Sequence, residues 1–157
     1  MDIDTVFNVR AVDEALVTSG SLNEAQLSAL ARQGFRRVIN LLPPDNPHAV
    51  AAEPDIVRAQ GLAYDNIPVD FSAPTLDDFV RFADLMDQRG AGRTLVHCAA
   101  NYRVSAFMAA YGIMRLGWSR ERAEQWIGDI WNPAQHPPWP GLIDALFDHA
   151  SRAGSAP

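Results

Sequence analysis

Lysine is missing from this 157-residue chain, and all thirteen of its basic residues are arginine. Without a Lys Nζ there is no Schiff-base chemistry and no Walker-type phosphate loop. Cationic charge is scarce altogether: nineteen acidic residues leave a formal charge of −6 and a pI near 5.0. Electrostatic capture of nucleic acid or of an anionic membrane is therefore not expected. Cysteine occurs once, at Cys98, which excludes an intrachain disulfide framework and a cysteine-based zinc site and fits a reducing compartment. No run approaches the roughly twenty apolar residues of a membrane span. The opening MDIDTVFNVR has neither a basic start nor an apolar core of the secretory kind, so a cytoplasmic location is the expectation.

With 48% hydrophobic and 20% charged residues, the chain has the composition of a globular protein long enough for one sizeable core. A single domain over residues 1–157 is expected. The Pro- and Gly-dense stretches near 43–54, 132–141 and 153–157 read as loops and a frayed tail. Ser21-Leu22-Asn23-Glu24 has the form of a capping box and predicts a helix to about Arg32, closed by Gly34. Arg37–Leu42 reads as a buried strand stopped by Pro43-Pro44, residues 49–60 as a helix, and Leu62–Val69 as a second strand. Thr75 caps a helix through about Gln88 that shows Phe79, Phe82, Ala83 and Met86 on one face. A third strand, Thr94–His97, leads to a helix from Val104 to Leu116 that is apolar nearly all round and so central. Ser119 caps a helix to about Ile130, and a last one runs from Leu142 to about Ala150. Strands alternating with helices at this spacing predict an α/β sandwich, a largely parallel central sheet flanked by helices.

The chemistry concentrates in Val96-His97-Cys98-Ala99-Ala100-Asn101-Tyr102-Arg103-Val104-Ser105. A lone cysteine at the end of a buried strand, on a short loop that enters a helix, occupies an anion site. Helix-start amides and the helix dipole favour negative charge, and Arg103 adds a planar fork matched to phosphate oxygens. The same field stabilises a thiolate over a thiol, which makes Cys98 a candidate nucleophile.

This segment, with Thr18-Ser19-Gly20, Gly34–Leu41 and Ile67-Pro68-Val69-Asp70 in order upstream, resembles the cysteine-dependent tyrosine and dual-specificity phosphatases. The likeness is to the small bacterial branch and covers about residues 15–130. It implies a phosphomonoester hydrolase working through a thiophosphoryl-cysteine intermediate, on a phosphorylated protein or a small phosphomonoester, with no cofactor and no metal. By this resemblance Cys98 attacks phosphorus, and Arg103 and the amides of Ala99, Ala100, Asn101, Tyr102, Arg103 and Val104 hold the phosphoryl oxygens. Ser105 donates to the sulfur, His97 supports the loop, and Asp70, 28 positions before Cys98, is the general acid.

The loop departs from the family pattern of cysteine, five residues, arginine, hydroxyl. Four residues separate Cys98 from Arg103, and Asn101 stands where the family has glycine. Either a residue is lost, or the loop keeps its length and the arginine has moved one place earlier. The second fits the count, since Ser105 lies seven positions after Cys98 and Val104 fills the usual arginine slot. Arg103 then leaves the helix about 100° away from the family's direction.

Plainer readings exist for each residue. Cys98 could be an inert core thiol, Arg103 a helix-start residue bonded to a nearby carboxylate, and Asp70 a turn former, while Glu53 could instead pair with Arg103 and orient it for the anion. Asp77 and Asp78 have sufficient reason in the helix dipole. Trp131, His136 and Trp139 read as packing in a Pro-rich loop before they read as a substrate pocket. Two other functions stand beside the phosphatase. A rhodanese-like sulfurtransferase uses a shorter loop around a smaller persulfide, and a pseudophosphatase would bind phosphate without turnover.

Overall fold

The computed structural model describes residues 2–154. Five strands form one sheet: β1 (Arg10–Asp13), β2 (Leu16–Ser19), β3 (Phe35–Asn40), β4 (Ala63–Asn66) and β5 (Arg93–His97). Six α-helices accompany them: α1 (Glu24–Ser28), α2 (Glu53–Ala59), α3 (Leu76–Asp87), α4 (Tyr102–Arg115), α5 (Arg120–Gly128) and α6 (Trp139–Gly154). The strand order is β1-β2-β5-β3-β4, with β1 antiparallel to β2 and every other pairing parallel. The expected α/β class with a largely parallel sheet is what the chain adopts.

The chain divides into two compact units. The first runs to Pro68 and takes in Gln88–Val104, so it holds the whole sheet with α1 and α2. Val17, Leu95 and Val38 lie side by side across its three inner strands. They pack with Leu27 and Leu30 at the end of α1, Val57 of α2, and Leu62 in a core from which water is excluded. Burying each such leucine or valine contributes about 1.5–3 kcal/mol. The central strand β5 is flanked by β2 and β3, in register to its last residue, where His97 stands between Ser19 and Asn40. The loop carrying Cys98 thus leaves the carboxyl end of a fixed central strand, the usual place for a ligand in a parallel sheet.

The second unit comprises Val69–Asp87 and the chain from Ser105 onward. Its core is aromatic: Phe79, Phe82, Phe107 and Trp139 are buried, with ring centroids 5.7–6.4 Å apart along Phe79–Phe107, Phe82–Phe107 and Phe107–Trp139. At the end of α4, Gly117 takes φ 72°, the left-handed glycine stop of a helix, and the Trp118 amide donates to the Gly112 carbonyl at 3.1 Å. The Trp118 ring then lies against Gly112, where a Cβ would sit 2.3 Å from it.

Several boundaries differ from expectation. The cap of α1 is Asn23, whose Oδ1 accepts from the Gln26 amide at 2.8 Å while Gln26 Oε1 accepts from the Asn23 amide at 2.9 Å. Ser21 is engaged elsewhere, as described below. Helix α1 stops at Ser28, and a 3-10 turn, Ala31–Gln33, carries the chain to Gly34 at φ 89°. The hairpin β1–β2 was not legible, since its four-residue strands carry too little periodicity. Helix α6 starts three residues early, at Trp139, and includes two residues of the expected tail; 155–157 lie outside the described residues.

Candidate phosphate-binding site

Cys98 is fully buried at the end of β5, where its amide reaches the Ser19 carbonyl at 3.4 Å. On the β3 side the Leu41 amide donates to the His97 carbonyl at 2.9 Å. From here the loop turns with its carbonyls tied to the scaffold. The Ala99 oxygen accepts from the Ser21 amide at 2.9 Å, and the Ala100 oxygen from Asn8 Nδ2 at 3.0 Å. The Cys98 oxygen faces His97 Nδ1 at 3.2 Å. With these acceptors engaged, what the turn offers a ligand is peptide N–H, the donor set of an anion-binding nest.

Asn101 makes that turn possible. It adopts φ 68°, the left-handed conformation that asparagine tolerates better than other side chains with a Cβ. Its Nδ2 donates to the Asn8 carbonyl at 2.9 Å and to Thr18 Oγ1 at 3.1 Å, and its side chain is fully buried. Asn8 is itself at φ 50°, so one left-handed asparagine holds the carbonyl of another while the second holds the Ala100 carbonyl. A left-handed residue three positions after Cys98, followed directly by α4, matches the reading in which the loop keeps its length and Arg103 has moved. Gly20 is the other fitted position, since a Cβ there would lie 2.7 Å from the Ala99 oxygen and 2.9 Å from the Phe7 ring.

His97 is itself held by a buried carboxylate. Its Nε2 lies 2.5 Å from Glu53 Oε2, and both side chains are nearly fully buried. Glu53 therefore pairs with His97. Glu53 sits in the first turn of α2, whose dipole favours a carboxylate. Arg103 is 7% exposed, in the first turn of α4, with Tyr102 half-buried before it and Val104 buried after it. Beside Glu53, burial and the carboxylate's charge push the Tyr64 phenol up to about 12 against a hydrogen bond from Asn40 and the charge of Arg58. Asn40 Nδ2 reaches Tyr64 Oη at 3.1 Å.

Ser105 and Asp70 belong to the second unit. Ser105 is fully buried in α4, and its Oγ accepts from Trp131 Nε1 at 2.8 Å. Asp70 is exposed on the loop after β4, with Oδ1 accepting from the Ser72 amide at 2.9 Å and its carbonyl accepting from the Ala73 amide at 3.1 Å. The turn-former reading of Asp70 is thus realised locally. Phe71, next to it, packs against Trp131, His136 and Trp139, so those loop aromatics pack, as expected. Sequence reasoning missed Asn8, Gly20 as a fitted wall, and the Trp131–Ser105 bond. Only the turn-forming character of asparagine and glycine hinted at the first two.

No protein-family model matches the sequence. A crystal structure from Shewanella putrefaciens CN-32, described as "Putative phosphatase (DUF442)", is 32% identical with a TM-score of 0.84, over 94% of this chain and 96% of that one. The chain belongs to the DUF442 family. This DUF442 protein also shares its fold with P. aeruginosa TpbA, at 17% identity and a TM-score of 0.75, over 99% and 94% of the two chains. That shared fold is the one the resemblance implied. In sequence, the "Beta-lactamase hydrolase-like protein" of Xylella fastidiosa (strain Temecula1 / ATCC 700964) is 31% identical over 117 residues. That match takes in 72% of this chain, which spans 27% of the length of that curated relative. Among the described residues no helix is long and apolar enough to cross a membrane, and no group of three or more His, Cys, Asp or Glu could hold a metal ion.

Proposed function

We propose that this DUF442 protein hydrolyses a phosphomonoester through a thiophosphoryl-Cys98 intermediate. The observation that carries the proposal is the Cys98 loop, a buried sulfur beneath a turn whose carbonyls at Cys98, Ala99 and Ala100 are all engaged with the scaffold. A pure core thiol needs no such arrangement. In the first step the Cys98 thiolate bonds to phosphorus, the bond from phosphorus to the leaving oxygen breaks, and Asp70 gives that oxygen a proton. In the second, a water oxygen bonds to phosphorus, its proton passes to Asp70, and the P–S electron pair returns to sulfur with a hydrogen bond from Ser105. Arg103 and the amides of residues 99–104 hold the equatorial oxygens through both steps, where such fixed donors commonly contribute about 3–4 kcal/mol each to the barrier. P. aeruginosa TpbA has been crystallised with phosphotyrosine, which makes an aryl phosphate the first substrate class to try.

A second reading, persulfide transfer, uses the same buried Cys98 thiol, which would carry sulfane sulfur in place of a phosphoryl group. Hydrolysis of an aryl phosphate by wild type and Cys98→Ser, with vanadate as competitor, separates the readings. Thiol-dependent, vanadate-sensitive turnover supports the phosphatase. A stable persulfide after thiosulfate treatment, without phosphate hydrolysis, replaces it with the transferase. Saturable phosphate binding without either reaction leaves a phosphate-binding module.

A further inference from the structure

Two indole N–H groups in the second unit address Ser105 and the residue that follows Asp70. Trp131 Nε1 donates to Ser105 Oγ at 2.8 Å, both groups buried. Trp139 Nε1 donates to the carbonyl of Phe71, the residue after Asp70, at 2.9 Å. The donors stand edge to face, with centroids 5.7 Å apart at 80°. The Phe71 ring closes the group at 5.9 Å from Trp131, 5.4 Å from Trp139 and 5.5 Å from His136. One aromatic cluster therefore grips both α4 at Ser105 and the Asp70 loop.

We propose that Trp131 and Trp139 are positioning residues that serve different steps of the reaction: Trp131, through Ser105, the breakdown of phosphoryl-Cys98, and Trp139, through Phe71, protonation of the leaving group. The inference rests on the phosphatase reading. A serine hydroxyl has one proton and two lone pairs. With the indole N–H on a lone pair, the O–H must point away from Trp131 and is held for another acceptor. A hydrogen bond to sulfur matters most when sulfur departs, as the P–S bond breaks. Loss of the indole N–H removes one bond that sets the direction of the hydroxyl and slows that step in particular. Asp70 is different: its side chain is exposed and accepts a bond from within its own turn, so the position of its carboxyl depends on how firmly the backbone of the loop is held. The Phe71 carbonyl and ring supply that hold. Its loss slows protonation of the leaving oxygen, which a poor leaving group needs and a good one does not.

Rapid mixing of p-nitrophenyl phosphate and of phenyl phosphate with wild type, Trp131→Phe and Trp139→Phe tests this. Each substitution keeps a ring and removes the N–H. Trp131→Phe is expected to release about one equivalent of nitrophenol in a burst, then turn over about tenfold more slowly than wild type, equivalent to about 1.4 kcal/mol on the second barrier. Trp139→Phe is expected to show no burst and to lose about tenfold on phenyl phosphate, with p-nitrophenyl phosphate within twofold of wild type. Ser105→Ala, which removes the hydroxyl without touching the cluster, must reproduce the burst and covers the case in which Trp131→Phe does not fold. Rates unchanged in both tryptophan variants, or lowered equally for both steps and both substrates, overturn the assignment. A wild type that forms no phosphoryl-cysteine removes the phosphatase reading and this inference with it.

Discussion

The Cys98 loop and the aromatic cluster of the second unit are both tied in place, by opposite means. The loop is held by polar groups: Ser21 N, Asn8 Nδ2 and His97 Nδ1 face its carbonyls, and Asn101 ties it to Asn8 and Thr18. The cluster is held by ring packing among Phe71, Trp131, His136 and Trp139, with two indole N–H groups as its directed bonds. An anion cradle must present donors and hide acceptors, so its outer surface has to be wired. A hydroxyl or a loop carboxyl needs direction, which one bond set in an apolar cluster supplies. Damage to the first region should be read in anion affinity whatever the leaving group, and damage to the second in rates with affinity preserved.

The largest effect tests whether the wired loop is an active site at all. Cys98→Ser should lose hydrolysis of aryl phosphates to the limit of detection while keeping the circular dichroism of wild type. Arg103→Ala should follow with a fall in kcat/KM of about 10²–10³, the range for loss of one transition-state donor, and with weaker vanadate inhibition. Full activity in Arg103→Ala would show that the displaced arginine does not reach the phosphoryl group. Glu53→Ala leaves the buried Nε2 of His97 without its partner, and about 1–3 kcal/mol of stability should go with it in urea titration.

Asn101 sharpens the comparison further, because conformation and bonding can be separated there. Asn101→Gly keeps the left-handed turn and loses two hydrogen bonds, whereas Asn101→Ala also meets a conformational penalty of about 1–2 kcal/mol. Phosphate affinity should fall in the order wild type, glycine, alanine, and an alanine variant tighter than the glycine variant would contradict the role given to φ.

The smallest expected effect concerns Tyr64. A phenol with its pKa raised to about 12 favours the folded state while neutral, so its contribution is complete below pH 10 and is lost as the pH rises through 12. The alkaline decline in stability should be shallower in Tyr64→Phe, and absorbance titration should show one tyrosine ionising late.

The chemistry was legible where neighbours in sequence carry it. His97, Cys98, Arg103 and Ser105 lie within nine residues, and a β-rich run before them with an apolar helix after them fixes strand, loop and helix. The helix under Thr75 and its buried Phe79, Phe82, Ala83 and Met86 were equally plain from period alone. What could not be read depends on pairs distant along the chain. Glu53 meets His97 across 44 residues, Asn8 meets Ala100 across 92, and Trp131 meets Ser105 across 26. Helix-start misplacement at Ser21 has the same origin, since the Ser21 amide binds the Ala99 carbonyl and the cap passes to Asn23. No local propensity encodes such choices, because each is decided by packing assembled from elsewhere.

Mass spectrometry of the protein quenched in acid during turnover of an aryl phosphate shows whether the wired loop is a working phosphoryl site built on Cys98. A phosphoryl group on the peptide carrying Cys98, absent in Cys98→Ser and blocked by vanadate, is the result this account predicts. Turnover with no phosphoryl group on Cys98 and no loss of rate in Cys98→Ser would contradict it.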